Sequence, residues 1–398
     1  MYDKESNMKT IRDYDVNGKK VIIRCDLNVP MKDNKISDDT RIVASLKSIK
    51  YLVENNAKVI ILSHLGKVKT EEDKEKNSLY EVYLKLKELL DTNVYFSSDT
   101  RGDKLNEMVN NLKNREVLLV QNTRYEDLNG KKESSCDLEL SEYWASLGDI
   151  FIKDAYGTLH RAHASNVGIG KLLSNGIGFL VEDEVNKIDS FLDDRVSPFM
   201  VVMGGKKVSD KIKVIDNLIT KCDKLLVGGA MSFTFLHVLG YKVNMEFVDI
   251  ESLDYCKNLL DKYSDKIVLP VDFKVSTSLE SEEVTNKNIN DINDNEFGYD
   301  IGEDSIKLFR SNLCLAKKVL INGPVGVFEN DKYSIGTSEI YKCLVDNNIK
   351  TLIGGGDSAS SVNKLGFSGK FYHVSTGGGA TLEYLEGNGL PGLDVINK

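Results

Sequence analysis

Basic and hydrogen-bonding side chains gather at five places in the first half of the sequence. Arg24, Asp26 and Asn28 lie in VIIRCDLNVP (21–30), and His64 and Lys67 in SHLGK (63–67). Arg124 closes QNTR (121–124), Arg161 sits in DAYGTLHRAHAS (154–165), and Arg41 opens a helical stretch. Guanidinium groups bind carboxylate and phosphate through paired hydrogen bonds, so this set suits a small organic polyanion. If 21–29 is one extended strand, Arg24, Asp26 and Asn28 share a face. The same pattern also fits a solvated sheet face, and a histidine after a strand is commonly structural. His160 and His163 have no third ligand at metal-site spacing, which argues against zinc.

The second half offers lysines and glycines. It contains no G-x-x-x-x-G-K-[ST], so a P-loop is not expected. GGKKVSDK (204–211) would set Lys207 and Lys211 four apart on one face if a helix began near Lys207. Like charges so placed are relieved by a bound phosphate, or simply by water. Gly228 and Gly229, GGGDS (354–358) and STGGGA (375–380) follow apolar runs, and the last two lead into helical stretches. Glycine lets backbone amides approach a phosphate, and a helix N-terminus favours negative charge. Asp357 could then hold magnesium bound to nucleotide phosphates. Residues 354–359 also fit G-x-G-x-x-A, but the acidic residue expected about 20 positions later is missing, which speaks against nicotinamide binding.

These groups need elements to carry them. Short apolar runs recur at 21–23, 59–62, 117–120, 150–152, 201–203, 225–227, 319–321 and 351–353, with helix-like stretches between, such as 40–55 and 80–90. This alternation predicts parallel sheets covered by helices. Ligands in such sheets sit beyond the carboxyl ends of the strands, where the residues above cluster. Helical spacing of Val181, Val185, Ile188 and Leu192, followed by Pro198, predicts a linking helix over 179–197 between domains at 1–178 and 198–387. The polar segments 67–78 and 277–300 read as surface loops.

The 398 residues are 41% hydrophobic and 28% charged, enough for two sizeable cores. A net charge of −9 argues against a general nucleic-acid binder. The six cysteines are scattered without a C-x-x-C pair, which predicts reduced thiols in a cytoplasmic protein. Residues 1–10 are polar, and the longest uncharged run, 225–241, is too short and too polar to span a membrane.

Read together, the segments resemble the phosphoglycerate kinase family. The resemblance rests on RCDLNVP from Arg24, SHLG from Ser63, DAYGTLHRAHAS from Asp154, GGKKVSDKI from Gly204, NGPVGVFE from Asn322, GGGDSA from Gly354, and STGGGATLEYLEG with LPG between Ser375 and Gly392. It implies an α/β fold of two doubly wound, Rossmann-like parallel-sheet domains facing a cleft, with about 388–398 returning to the N-terminal domain. It implies Mg2+-dependent transfer of a phosphoryl group between 1,3-bisphosphoglycerate and ADP, giving 3-phosphoglycerate and ATP. Asp26, Asn28, Arg41, His64, Lys67, Arg124 and Arg161 are implied to hold the phosphoglycerate. Lys207, Lys211, Gly228, Gly229, Asn322, Glu329, Gly355, Gly356, Asp357 and Ser358 are implied for the nucleotide, with Asp357 at the metal. Arg41, Lys207, Lys211, Gly356 and Gly379 are implied at the transfer step. The expected partners are these small molecules only, with neither nucleic acid nor membrane, and a monomer is expected.

Three positions depart from the family pattern. SHLGKV stands for SHLGRP, so Lys67 replaces an arginine and a proline is missing. Ile321 replaces a tryptophan, and Lys206 an alanine. The alternative reading is a catalytically silent nucleotide-binding relative, which would be free to lose Arg41, Lys207, Lys211 or Asp357; all four are present.

Overall fold

The computed structural model describes residues 8–396. Residues up to Lys187, together with those from Gly389, form one compact unit, and Ile188–Asn388 forms a second. The first unit is built on a six-stranded sheet of β1 (Lys20–Cys25), β4 (Lys58–Leu62), β5 (Val94–Ser97), β6 (Val117–Val120), β7 (Ile150–Asp154) and β8 (Asn175–Ile177). A two-stranded ribbon, β2 (Met31–Lys32) and β3 (Lys35–Ile36), turns through Asp33 and Asn34, both at positive φ. The main sheet runs β5-β6-β4-β1-β7-β8, and its pairings are parallel.

Strand alternation divides the core of this unit in two. Val21, Ile23, Val59, Ile61, Val117 and Leu119 enter one cluster, with Ile42, Ile49 and Leu52 from helix Thr40–Glu54. Ile22, Ile60, Leu62, Leu118, Val120 and Phe151 enter the other, with Leu140 and Trp144 from helix Leu138–Ser146. A sheet covered on both faces explains why its strands read as unbroken apolar runs.

The second unit repeats the plan with β9 (Phe199–Met203), β10 (Lys224–Val227), β11 (Ile267–Val268), β15 (Lys318–Asn322), β16 (Lys350–Gly354) and β17 (His373–Val374), ordered β11-β10-β9-β15-β16-β17. Both sheets start near the middle, proceed to one edge, then return to the other side. Each therefore has a switch point, at β1/β7 and β9/β15, where neighbouring loops leave in opposite directions. Ile321 lies in the second core beside Val202, Val319 and Ile353, a packing position.

Segment 277–300, expected as a loop, instead supplies β13 (Thr285–Asn288) and β14 (Phe297–Ile301) to an antiparallel sheet with β12 (Asp272–Ser276). Its sides differ: Phe273 and Val275 pack on Phe233 and Leu236, while Thr285–Asn288 is an almost fully exposed edge strand. Segment 67–78 is not loop throughout either. Thr70 caps helix Glu71–Lys76 in a reciprocal box with Asp73. Helix Phe179–Asp193 spans the boundary between the units, and Ser197–Pro198 is a cis peptide just before β9.

The C-terminal residues pack within the first unit. Lys153 Nζ donates to Gly392 O at 2.8 Å and to Asn175 Oδ1 at 3.0 Å, and Asn175 Nδ2 donates to Val395 O at 3.0 Å. Burial lowers the Lys153 ammonium to about 7.

Candidate active site

Register places the carboxyl ends of the first sheet in line. Arg24 lies opposite Leu62 and Lys153, and Cys25 opposite Asp154. The loops that follow therefore leave from one edge, carrying Asp26, His64, Arg124 and Arg161. Arg41 Nη1 pairs with Asp26 Oδ2 at 2.6 Å, and Asn28 Oδ1 accepts from Gly66 N at 2.8 Å. Arg124 pairs with Asp127 at 2.6 Å, and its Nε is buried without a hydrogen-bond partner.

His64 is the focus of this cluster. Arg24 Nη2 lies 3.1 Å from His64 Nδ1. A guanidinium can only donate, so Nδ1 accepts and the ring proton resides on Nε2. Burial drives the His64 pKa well below its usual range, and Arg24, Arg124, Arg161 and Arg41 drive it further down. A neutral imidazole among guanidinium groups can donate Nε2–H to an anion while the arginines supply the charge. Behind it lies a closed chain of contacts. Arg24 Nε donates to Ser165 Oγ at 3.0 Å, Ser165 Oγ donates to the buried Glu133 carboxylate, and Ser165 N donates to Glu133 Oε2 at 2.9 Å.

The second site forms at the other switch point. Met203 lies opposite Val227 and Asn322, and Asn322 opposite Gly354. The loops beyond are knitted together: Gly204 N donates to Asn322 O at 3.0 Å, and Gly229 N to Val325 O at 3.0 Å. A Cβ on Gly204 would strike the Pro324 carbonyl, so the close approach of these loops requires glycine. Lys211 Nζ donates to Asn322 Oδ1, and Asn322 Nδ2 donates to Gly354 O at 3.1 Å. Burial lowers the Lys211 ammonium, while Asp210 and Asp357 pull it back up. Gly355, at φ +97°, precedes helix Gly356–Lys364, whose Ser358 accepts from Gly323 N at 2.7 Å. Gly356 and Asp357 are exposed at that helix start, and Gly379 begins helix Gly379–Leu385.

A sequence model described as phosphoglycerate kinase matches residues 11–388. The chain belongs to the phosphoglycerate kinase family. It is 51% identical over 395 residues to the phosphoglycerate kinase of Fusobacterium nucleatum, covering 98% of this chain and 99% of that one. It is 50% identical over 391 residues to that of Listeria monocytogenes, with the same coverage. Among solved structures, phosphoglycerate kinase from Coxiella burnetii matches with a TM-score of 0.86 and 34% identity, over 98% of each chain. The Pyrococcus horikoshii enzyme matches with a TM-score of 0.83 and 32% identity, also over 98% of each chain.

Some residues sit otherwise than their spacing implies. Arg24 does not share an open face with Asp26 and Asn28. Strand β1 ends at Cys25, and Arg24 is buried behind His64 with 2% exposure. Lys207 and Lys211 do not stand on one helix face. The helix begins at Ile212, so Lys207 lies in the preceding loop and Lys211 directly before the first turn. Lys67, Lys206, Lys207, Arg161 and Glu329 are exposed. Glu133, Ser165 and Asp127 are the structural partners that motif reading missed. Nothing in the sequence singles out Glu133 from neighbouring acids, although Ser165 closes a motif.

The residues present fit the magnesium that a nucleotide-using family implies. Asp357 is an exposed carboxylate at a helix start and forms no ion pair among the described residues. Those residues contain no group of three or more His, Cys, Asp or Glu able to cage a metal. One carboxylate is enough for magnesium when phosphate oxygens of a substrate and water complete its shell.

Proposed function

We propose that this protein transfers a phosphoryl group reversibly between 1,3-bisphosphoglycerate and ADP, giving 3-phosphoglycerate and ATP. It is a kinase-family protein, and the reading extends that membership to its own residues. The observation that carries it is the pairing, in one chain, of a guanidinium cluster around neutral His64 with a lysine–asparagine–glycine constellation at a second switch point. The first suits a phosphorylated carboxylate and the second a nucleotide.

In this mechanism Arg124, Arg161, Lys67 and His64 bind the non-reacting end of the phosphoglycerate, and Asp26 and Asn28 orient its hydroxylated carbon. Arg41 neutralises charge near the acyl oxygen. Gly228, Gly229, Asn322 and Glu329 receive the nucleoside. Lys211 and Lys207, with amides near Gly355, Gly356, Ser358 and Gly379, offset charge on the phosphoryl group as it passes in line between oxygens. Magnesium, held by Asp357, would withdraw charge from the nucleotide phosphates. No protein nucleophile is required. Cytoplasmic location and a monomeric state complete the proposal; among the described residues no helix is long and apolar enough to cross a membrane.

A coupled assay with 3-phosphoglycerate, ATP and magnesium tests the activity, and Asp357→Asn tests the division of labour. The variant should lose about a hundredfold or more in turnover, the scale of removing one charge-stabilising group. Its affinity for 3-phosphoglycerate should stay within about twofold, since the unperturbed arginine cluster binds it. An inactive wild-type protein, or wild-type turnover in the variant, would refute the proposal.

A further inference from the structure

Away from both sites, two cysteines meet where neighbouring helices of the second unit pack. Cys314 caps the C-terminus of helix Glu303–Leu313, where its N–H donates to Arg310 O at 2.8 Å. Cys343 lies in helix Ile335–Asp346. Their sulfurs are 3.1 Å apart. Cys314 is the one exposed cysteine among the described residues, whereas Cys343 is buried.

We propose that Cys314 and Cys343 form a redox-active dithiol, which a peroxide converts into an intramolecular disulfide. The Cys314 sulfur attacks one peroxide oxygen and the O–O bond breaks. Cys314 becomes a sulfenic acid, and the departing oxygen leaves as water with the Cys314 thiol proton. The Cys343 sulfur then attacks the Cys314 sulfur and the S–O bond breaks. The hydroxyl leaves as a second water with the Cys343 proton. Two thiols have supplied two electrons, and the peroxide is reduced to two waters.

Geometry assigns the two roles. Only Cys314 is open to the oxidant, and reactivity follows access. The Asn347 amide lies 3.7 Å from the Cys314 sulfur and 3.9 Å from that of Cys343, so one donor faces both sulfurs. Burial and the neighbouring Cys314 push the Cys343 thiol up to about 12, so both its burial and its retained proton leave the first attack to Cys314. A disulfide needs sulfurs about 2.05 Å apart, so closing the bond takes a shift on the order of 1 Å. Arg310, paired with Glu339, and Asp346 are the charged groups near the pair.

The bond would tether a helix that braces the nucleotide loops. Thr337 accepts from Val325 N at 3.2 Å, and Tyr341 OH lies 2.7 Å from Ser361 Oγ in the helix that carries Asp357. The inference rests on this local geometry alone and is independent of the reaction assigned to the site.

The test treats reduced full-length protein with hydrogen peroxide, then counts thiols and maps peptides by mass spectrometry. The expected result is loss of two of the six thiols, a protein lighter by two hydrogens, a peptide joining Cys314 to Cys343, and full recovery with dithiothreitol. Cys314→Ser, at an exposed position, should keep its remaining thiols under the same treatment. Cys343→Ser should leave a sulfenic acid at Cys314 that dimedone traps. A wild-type protein that keeps all its thiols, a disulfide joining other cysteines, or a Cys314→Ser protein that still loses two thiols would overturn the proposal. If Cys343→Ser does not fold, the Cys314→Ser comparison decides alone.

Discussion

Replacing Ser165 with alanine isolates the contacts behind His64, because it removes one hydroxyl and almost no volume. That hydroxyl accepts from Arg24 Nε at 3.0 Å and donates to Glu133, and all three side chains are buried. In Ser165→Ala a guanidinium N–H and a carboxylate oxygen each lose a partner where water cannot substitute. An unsatisfied buried donor or acceptor costs about 1–3 kcal/mol, so the pair should cost about 2–6 kcal/mol. The lower half of that range is favoured, because Ser165 N still donates to Glu133 Oε2. A guanidinium no longer fixed at Nε holds the His64 ring less firmly. Weakening one hydrogen bond to the substrate by about 1 kcal/mol corresponds to roughly a fivefold rise in KM for 3-phosphoglycerate. Turnover should barely change, since the contact is to a non-reacting group. Urea unfolding followed by circular dichroism and steady-state kinetics at fixed ionic strength read both quantities. An unmoved unfolding midpoint with unchanged KM would refute the supporting role of the chain. A large fall in turnover at constant KM would instead place His64 at the reacting end.

Two further outcomes follow from single side chains. Lys67 is exposed, and its ammonium makes no ion pair among the described residues; Lys67→Arg should lower KM for 3-phosphoglycerate roughly fivefold by adding a directional contact, with turnover unchanged, whereas a level or higher KM counts against that geometry. Burial, reinforced by Arg124, lowers His163 to about 3, so below about pH 6.5 the unfolded chain takes up a proton that the folded ring refuses. The stability this group contributes is complete above that pH and is lost as pH falls toward 3, by about 2 kcal/mol between pH 6.5 and 5; urea midpoints at the two pH values should show a drop that shrinks in His163→Gln.

Legibility followed burial. Strand Val117–Val120 and the first three residues of strand Ile150–Asp154 are enclosed on both faces, so they are apolar in unbroken runs and announce themselves. The edge strand Thr285–Asn288 has almost no buried side, and nothing in its composition separates it from a loop. Arg24 misled for the opposite reason: an arginine reads as surface, and its hydrogen bonds to Ser165, Cys25 O and His64, with the Glu133 charge behind Ser165, make its burial tolerable. Gly204, Gly228 and Gly229 were legible because close backbone approach forbids a side chain there. The start of the helix at Ile212 was hidden, because a loop and a helix can carry Lys207 and Lys211 at the same spacing.

Synthesis from the N-terminus separates the two parts of the first unit in time. The first unit needs residues from Gly389 onward, whose carbonyls satisfy Lys153 and Asn175, yet 201 residues of the second unit, Ile188–Asn388, are synthesised in between. At about 5–20 residues per second, that interval is on the order of 10–40 s. During it a ribosome carries a nascent first unit whose buried ammonium lacks one acceptor, while the later unit gathers its whole sheet behind it. The unit begun first is thus the one finished last.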